Sequence, residues 1–202
     1  MKQILTIEVS PRGAVSASRA VTEKLSARLR EEFPGSKFVY RDLAKDSIPH
    51  LDNNTLKAIS SKIPEEVQAN KEFAHLSDQL TEELLESDLL VIATPMWNFG
   101  IPSVLKAWLD LVVRPGKTFA YTETGVLGLA KDKKAIIIVA SGGVFTEGSW
   151  KSWDFVVPYL RQILRFIGIE NVQVVRAQGI NIPLLAESAI PNAEQSITQL
   201  EL

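Results

Sequence analysis

Hydroxyl side chains are concentrated in one short segment near the N-terminus, where Ser10 is followed by Ser16, Ala17 and Ser18. An apolar run, residues 4–9, ends at Ser10, and apolar residues with helical spacing begin just after Ser16. A helix that begins here exposes free backbone N–H groups and the positive end of its dipole, and both favour an anion. The segment matches neither G-x-G-x-x-G nor G-x-x-x-x-G-K-[ST]. It indicates a site for a phosphate monoester, with the alternative that Ser16 only caps the helix.

Aromatic side chains and an amide are grouped in a second segment, which contains Met96, Trp97, Asn98 and Phe99. Trp97 and Phe99 offer flat faces on which a planar ligand can stack, and Asn98 offers a donor and an acceptor to the edge of a ring. A proline on each side stiffens the backbone. The alternative is that Pro102 begins a helix and the aromatic rings only cover the core.

Paired glycines mark a third segment, Ala140-Ser141-Gly142-Gly143. Glycine lets a backbone approach a ligand closely, so that N–H groups can point at the carbonyl oxygens of a ring. Taken alone, the pair is also typical of a simple turn.

Composition excludes several other chemistries. The chain has no cysteine and two histidines, so thiolate nucleophiles, disulfides and thiolate or histidine-rich metal sites are excluded. His75 is predicted to lie on a helix surface, His50 is a candidate cavity residue, and neither is assigned a catalytic role. A net charge of −2 with no basic stripe argues against nucleic acid and anionic membranes as partners. The apolar runs are too short for a signal peptide or a membrane helix, so we expect a cytoplasmic protein.

Strand and helix patterns alternate along the chain. Apolar or β-branched runs predict strands at residues 4–9, 37–43, 89–94, 135–140 and 172–177, and helical spacing predicts helices at residues 16–33, 65–85, 104–113, 155–167 and 193–200. We predict one α/β domain over residues 1–202, with insertions near 44–61 and 114–132. Its fold is expected to be a flavodoxin-like open five-stranded parallel sheet of order 2-1-3-4-5, with helices on both faces.

This strand order brings the three segments together. The first, third and fourth strands would be neighbours, and ligands bind at the carboxyl ends of such strands, where the strand order reverses. A phosphate site, an aromatic face and a glycine backbone together describe a mononucleotide with a flat tricyclic ring. The sequence therefore predicts flavin mononucleotide, FMN, as the cofactor.

The same segments carry a resemblance to a known family that runs nearly end to end. Together with Ile48-Pro49-His50-Leu51-Asp52 and Phe119-Ala120-Tyr121-Thr122-Glu123, they resemble the FMN-dependent NADH:quinone reductases, also known as azoreductases. Two positions depart from the family pattern, which commonly has Tyr at Trp97 and Ser-Arg-Gly-Gly at residues 140–143. We expect flavin binding to survive both departures and the substrate range to reflect them.

The resemblance implies a function and a set of contacts. FMN phosphate would contact Ser10 and the turn of Ser16, Ala17 and Ser18, and the ring would lie against residues 96–99 and 140–143. NADH or NADPH would reduce the flavin, and a quinone or azo compound would then take the same place, which predicts ping-pong kinetics. No side chain is expected to be catalytic, because the cofactor carries the chemistry.

The resemblance also implies a homodimer with sites at the subunit interface. Phe119 and Tyr121 are the candidate walls of the substrate cavity.

Two other functions use the same residues. A flavodoxin-type electron carrier would bind FMN without turning over a small substrate, although such carriers are usually strongly acidic. A non-enzymatic interaction protein on this scaffold is the third candidate. A phospho-receiver domain is excluded by Thr94-Pro95 at the position of the required Asp, and a low-molecular-weight phosphatase by the lack of cysteine.

Overall fold

The computed structural model describes residues 2–46 and 48–202. The strands are β1 (Gln3–Glu8), β2 (Lys37–Asp42), β3 (Leu89–Pro95), β4 (Phe119–Thr122), β5 (Gly125–Gly128), β6 (Lys134–Ala140) and β7 (Asn171–Ala177). The helices are α1 (Ala17–Glu32), α2 (Asn53–Ser60), α3 (Pro64–Ala69), α4 (His75–Glu86), α5 (Ser103–Val112), α6 (Val157–Ile167) and α7 (Ala186–Ile197). No helix within these two ranges is long and apolar enough to cross a membrane.

Five of the strands form one parallel sheet, as predicted. Its order is β2-β1-β3-β6-β7, while β4 and β5 pair with each other as an antiparallel hairpin outside the sheet. The hairpin lies between β3 and β6 in the chain, so the strand numbers in the sheet are not consecutive there. The carboxyl ends of β1, β3, β6 and β7 meet along one edge, where their loops can share a ligand.

Two hydrophobic clusters use alternate residues of the central strands. Ile137 and Val139 belong to the cluster that contains buried residues of α4, α5 and α6. Ile136 and Ile138 belong to the other cluster, which contains buried residues of α1 and α7. Since successive side chains of a strand point to opposite faces, a strand with both faces covered has a continuous apolar sequence, as β6 does.

The structure differs from the predicted elements in three places. The predicted helix over residues 65–85 is divided into α3, a short 3-10 helix at Lys71–Ala74 and α4. Asn70 ends α3, because its backbone leaves helical angles and its side-chain amide donates a hydrogen bond to the Glu66 carbonyl oxygen. The tail helix begins at Ala186, earlier than predicted, and continues through Pro191 to Ile197. The hairpin inside the predicted insertion at residues 114–132 was not predicted.

Two glycines attach the hairpin to the rest of the molecule. Any side chain at Gly128 would overlap the backbone of Gly168, which follows α6 with a positive φ of 105°. The Ala130 N–H then donates a hydrogen bond to the Ile167 carbonyl oxygen at 2.8 Å. Glycine is required at both positions, because only a bare backbone permits this close approach.

Candidate functional site

One cavity of about 370 Å³ lies at the carboxyl edge of the sheet. It brings together residues from all three predicted segments. The predicted residues that line it are Ser10, Ser16, Ala17, Met96, Trp97, Ala140, Ser141 and Gly142. Ser18, Asn98 and Gly143 do not line it but directly follow residues that do, and Phe99 lies two positions after Trp97.

The serine-rich end of the cavity is formed by the loop between β1 and α1. Ser16 is the N-cap of α1, and its hydroxyl oxygen lies 3.5 Å from the Arg19 N–H and 3.1 Å from the Ser18 hydroxyl. Within the described ranges, the N–H groups of Ala17 and Ser18 donate to no protein acceptor. Ser16 therefore does cap the helix, and the free N–H groups beside it remain available to an anion.

Arg19 holds this loop in place. Its guanidinium donates two hydrogen bonds to the carbonyl oxygen of Ser10, at 3.0 and 2.7 Å, and a third to the Asp42 carboxylate at 2.7 Å. Burial is the largest single influence on Asp42 and opposes its ionisation, but the hydrogen bonds from Arg19 and the Ala44 N–H, together with the nearby positive charges, hold the pKa of Asp42 below its ordinary value. The loop is thus fixed to the ends of β1 and β2 by a charged side chain that lies outside the cavity.

The aromatic segment forms a tight two-residue turn. The Trp97 N–H donates to the Gly100 carbonyl oxygen at 3.1 Å, and the Gly100 N–H donates to the Trp97 carbonyl oxygen at 3.0 Å. Asn98 and Phe99, between them, both have positive φ, at 48° and 67°. Asparagine tolerates this region, whereas an aromatic residue there is strained.

Neighbouring aromatic rings keep Phe99 in this conformation. Its ring contacts Trp153 edge to face, with centroids 5.1 Å apart, and Phe145 at 6.2 Å. Its carbonyl oxygen accepts a hydrogen bond from the Phe155 N–H at 3.0 Å. Phe99 therefore anchors the turn, and the turn presents Met96 and Trp97 to the cavity.

The glycine segment presents donors and keeps its acceptors occupied. The carbonyl oxygens of Gly142 and Gly143 accept hydrogen bonds from the N–H groups of Asn181 and Gly179, each at 3.0 Å. Among the residues that the structure describes, the N–H groups of Gly142 and Gly143 have no acceptor. A carbonyl-bearing or anionic ring edge would supply the missing acceptor.

Several cavity residues that the sequence did not predict come from the loop after β7 and from α7. That loop and the following helix supply Ile180, Asn181 and Ile190 to the cavity wall. Arg12 also lines the cavity with an exposed side chain. Its position inside the serine-rich loop was the available signal, since a cation beside hydroxyl groups favours a phosphate.

Four other residues singled out in the sequence lie away from this cavity. Phe119 is 5% exposed and packs on Phe166 with centroids 4.7 Å apart, so the structure gives it a packing role within the chain instead of a place in a cavity wall. Tyr121 is 70% exposed on the hairpin. His50 lies exposed in the loop before α2, and His75 is exposed at the start of α4.

A larger cavity, of about 700 Å³, lies elsewhere, between the hairpin and the C-terminal end of α6. It contains none of the predicted site residues. No group of three or more His, Asp or Glu side chains able to hold a metal occurs within residues 2–46 and 48–202.

Comparison with known proteins shows which proteins the chain resembles. A family model described as flavodoxin-like fold matches residues 2–200. The FMN-dependent NADH:quinone oxidoreductase of Beijerinckia indica is 63% identical over 202 residues and is covered completely, as is this chain. The FMN-dependent NADH:quinone oxidoreductase of Agrobacterium fabrum is 41% identical over 201 residues, which are 99% of this chain and 98% of the relative.

Solved structures agree with these relatives. An azoreductase from Bacillus anthracis strain Sterne superposes with a TM-score of 0.87 at 31% identity, over 98% of each chain. An FMN-dependent NADH-azoreductase from Bacillus anthracis, solved in complex with FMN, superposes with a TM-score of 0.85 at 27% identity. That alignment covers 98% of this chain and 99% of the azoreductase.

Proposed function

The chain belongs to the FMN-dependent NADH:quinone oxidoreductases of flavodoxin-like fold, and from this premise we propose that it oxidises NADH and reduces quinones or aromatic azo compounds. The observation that carries the proposal is the cavity in which the serine-rich loop, the aromatic turn and the glycine segment meet. Each of the three supplies a different part of a site for FMN.

The serine-rich end fits the phosphate group. The free N–H groups of Ala17 and Ser18 lie at the positive end of α1, and the Ser10 and Ser16 hydroxyls line the same wall. Arg12 adds a positive charge. A doubly charged phosphate monoester suits this combination of donors better than a neutral group does.

The remaining walls fit the ring. Met96 and Trp97 supply apolar contact area, and Asn98 beside them supplies both a hydrogen-bond donor and an acceptor. The free N–H groups of Gly142 and Gly143 are the donors that the pyrimidine edge of a flavin needs. We assign FMN binding to Ser10, Ser16, Ala17, Ser18, Met96, Trp97, Asn98, Phe99, Ala140, Ser141, Gly142 and Gly143.

Bound FMN would supply the two-electron redox chemistry that none of the amino-acid side chains can carry out. The residues of the chain would bind the cofactor and orient it. The Gly142 and Gly143 N–H groups stabilise negative charge that develops at the ring edge, in the manner of an oxyanion hole. The Trp97 face, 43% exposed, leaves room for a flat substrate to stack at the open side of the cavity.

Because one open face serves both substrates, the oxidised nicotinamide product, which has given up its hydride, must leave before the acceptor enters. We therefore propose ping-pong kinetics, in which either NADH or NADPH is the donor and a quinone or an azo compound is the acceptor.

A homodimer is part of the proposal. Exposed aromatic side chains surround the cavity, among them Trp97, Phe99, Trp153 and Phe155, and contiguous exposed apolar area is typical of an interface. Tyr121 on the hairpin is free to reach a second copy, where it would cover the substrate cavity. Light scattering of the purified protein tests this assembly, for which we expect twice the mass of the 22.3 kDa chain.

A flavodoxin-type electron carrier is the alternative that uses the same cavity. The near-neutral net charge of −2 and the aromatic surroundings of the cavity favour a small-molecule acceptor over a docked protein. Initial rates at several fixed quinone concentrations separate the two functions. Parallel double-reciprocal lines against NADH are expected, whereas negligible NADH oxidation by the FMN-loaded protein would favour the carrier.

A further inference from the structure

A second cavity of about 450 Å³ lies directly beside the proposed FMN cavity, and we name it the tryptophan cavity. It is lined by Gly142, Gly143, Val144, Glu147, Gly148, Ser149, Trp150, Asn181 and Ile182. Of these residues, only Gly142 and Gly143 are among the predicted FMN contacts. The other walls of the tryptophan cavity therefore have no role in the proposed function.

The two cavities share a wall. Gly142 and Asn181 line both of them. A Cβ on Gly142 would lie 2.5 Å from the Asn181 side-chain nitrogen, so glycine is required for Asn181 to occupy this position. A ligand stacked in the FMN cavity can therefore extend past Asn181 into the tryptophan cavity without crossing the core.

Trp150 forms a fixed aromatic wall. Its ring lies against the Cα atom of Gly143, where a Cβ would approach the ring to 2.8 Å. The Trp150 ring also stacks on the Trp153 ring, with centroids 6.0 Å apart and an interplanar angle of 13°. It packs against the Phe145 ring with centroids 5.7 Å apart. The indole is 47% exposed, so one part of it remains available to a ligand. A preorganised indole face is well suited to stack a purine base.

Glu147 is the charged side chain among the residues that line this cavity. In the described ranges it has no ion-pair partner, so no neighbouring charge neutralises it. A carboxylate accepts hydrogen bonds from a ribose diol and repels a phosphate at the ribose 2′ position. An aromatic wall with a single carboxylate is thus the chemistry of a nucleoside site.

We propose that the tryptophan cavity binds the adenosine half of NADH, with adenine stacked on Trp150 and the ribose 2′-hydroxyl held by Glu147. The inference rests on the proposed function, because the nicotinamide half must lie over the flavin in the adjoining cavity. The Asn181 amide, on the shared wall, is a donor for the bridging phosphates. The site selects NADH over NADPH, since the 2′-phosphate of NADPH would meet the Glu147 carboxylate.

Reduced nicotinamide mononucleotide, which lacks adenosine, separates this site from the flavin site. In anaerobic reduction of the FMN-loaded protein, Trp150→Leu should lower the second-order rate constant for NADH roughly tenfold. Its effect on the mononucleotide should be at least about five times smaller. Glu147→Gln should lower the preference for NADH over NADPH roughly tenfold. The matched controls are Phe73→Leu and Glu31→Gln, which change an exposed aromatic before α4 and an exposed acid in α1, neither of which lines either cavity.

Calorimetric titration with ADP-ribose gives a readout that involves no electron transfer. ADP-ribose should bind the unaltered protein, bind Trp150→Leu roughly tenfold more weakly, and bind more tightly than its 2′-phosphorylated analogue. Equal losses for NADH and the mononucleotide in Trp150→Leu, or ADP-ribose affinity that does not depend on Trp150, would overturn the site. Failure of both reductants with the unaltered protein would contradict the proposed function, while the ADP-ribose titration would still decide the site.

Discussion

Arg19 and Ser10 are joined by two hydrogen bonds from the guanidinium to the Ser10 carbonyl oxygen, at 3.0 and 2.7 Å. Ser10 lies in the loop that follows β1, and Arg19 lies in the first turn of α1, so this contact fixes the two sides of the proposed phosphate site to each other. Asp42, at the end of β2, accepts a further hydrogen bond and keeps the guanidinium in position.

Replacement of Arg19 tests this arrangement. Arg19→Lys keeps the charge but loses the forked geometry, and we expect unfolding of the apoprotein to become easier by about 2 kcal/mol. FMN binding should weaken because the serine-rich loop is no longer held. Urea unfolding and fluorescence titration with FMN measure the two effects, and FMN affinity that stays unchanged would contradict a role for Arg19 in shaping the phosphate site.

Arg12 should act on the phosphate of FMN by its charge. Arg12→Ala is expected to weaken FMN binding by about 1 kcal/mol at low salt, because the side chain is exposed and screened by solvent. Riboflavin, which has no phosphate, serves as the matched ligand, and its affinity should not change. An equal loss of affinity for both flavins would show that Arg12 acts on the fold of the loop and not on the phosphate.

Asn98 has a positive φ of 48° and directly follows Trp97, which lines the proposed ring site. Asn98→Gly removes the amide and keeps the backbone conformation, so it separates the two roles better than Asn98→Ala. FMN binding should weaken by about 1 to 3 kcal/mol in both variants, and only Asn98→Ala should also lower the stability of the apoprotein. Unchanged FMN affinity in Asn98→Gly would show that Asn98 serves only to form the turn.

Glu8 should make stability depend on pH. Burial raises the pKa of Glu8 above its ordinary value of 4.5, and the nearby positive charge of Arg19 only partly opposes this. The folded chain therefore binds this proton more tightly than the unfolded chain. The stabilisation is present below pH 4.5 and is lost as the pH rises through the folded pKa.

Glu8→Gln removes this dependence. Its free energy of unfolding relative to the unaltered protein should rise from about pH 4 to about pH 8. Glu123→Gln, an exposed acid on the hairpin, is the control and should show no such trend. A difference between Glu8→Gln and the unaltered protein that stays constant with pH would contradict the account of Glu8.

The sequence predicted those strands, helices and helix caps that depend mainly on interactions between residues close together in the chain. The buried strand β6 is predictable because its sequence is continuously apolar, and Ser16 because a hydroxyl precedes a helical pattern. The division of the predicted helix at Asn70 and the hairpin around Tyr121 escaped prediction. At Asn70, the apolar residues keep helical spacing across an amide that ends a helix. The hairpin strands have only four residues each and lie inside the segment that the sequence presents as an insertion.

Contacts between distant parts of the chain were out of reach of the sequence. Asn181 joins the cavity wall only because Gly142, 39 positions earlier, leaves room for it. Phe99 lies next to the ring site in sequence, yet its contact with Trp153 turns it into an anchor of the loop. Such pairings depend on the arrangement of the strands in the sheet. The sequence around either residue of a pair does not contain this information.

The most direct test of the central claim is an anaerobic absorbance titration of the purified protein after reconstitution with FMN. One FMN per chain should bind, one equivalent of NADH should bleach the flavin band, and one equivalent of a quinone should restore it. A protein that binds no FMN from excess cofactor, or whose bound flavin NADH does not bleach, would contradict the assignment of the cavity at Ser10, Trp97 and Gly142 as the site of an FMN-dependent NADH:quinone oxidoreductase.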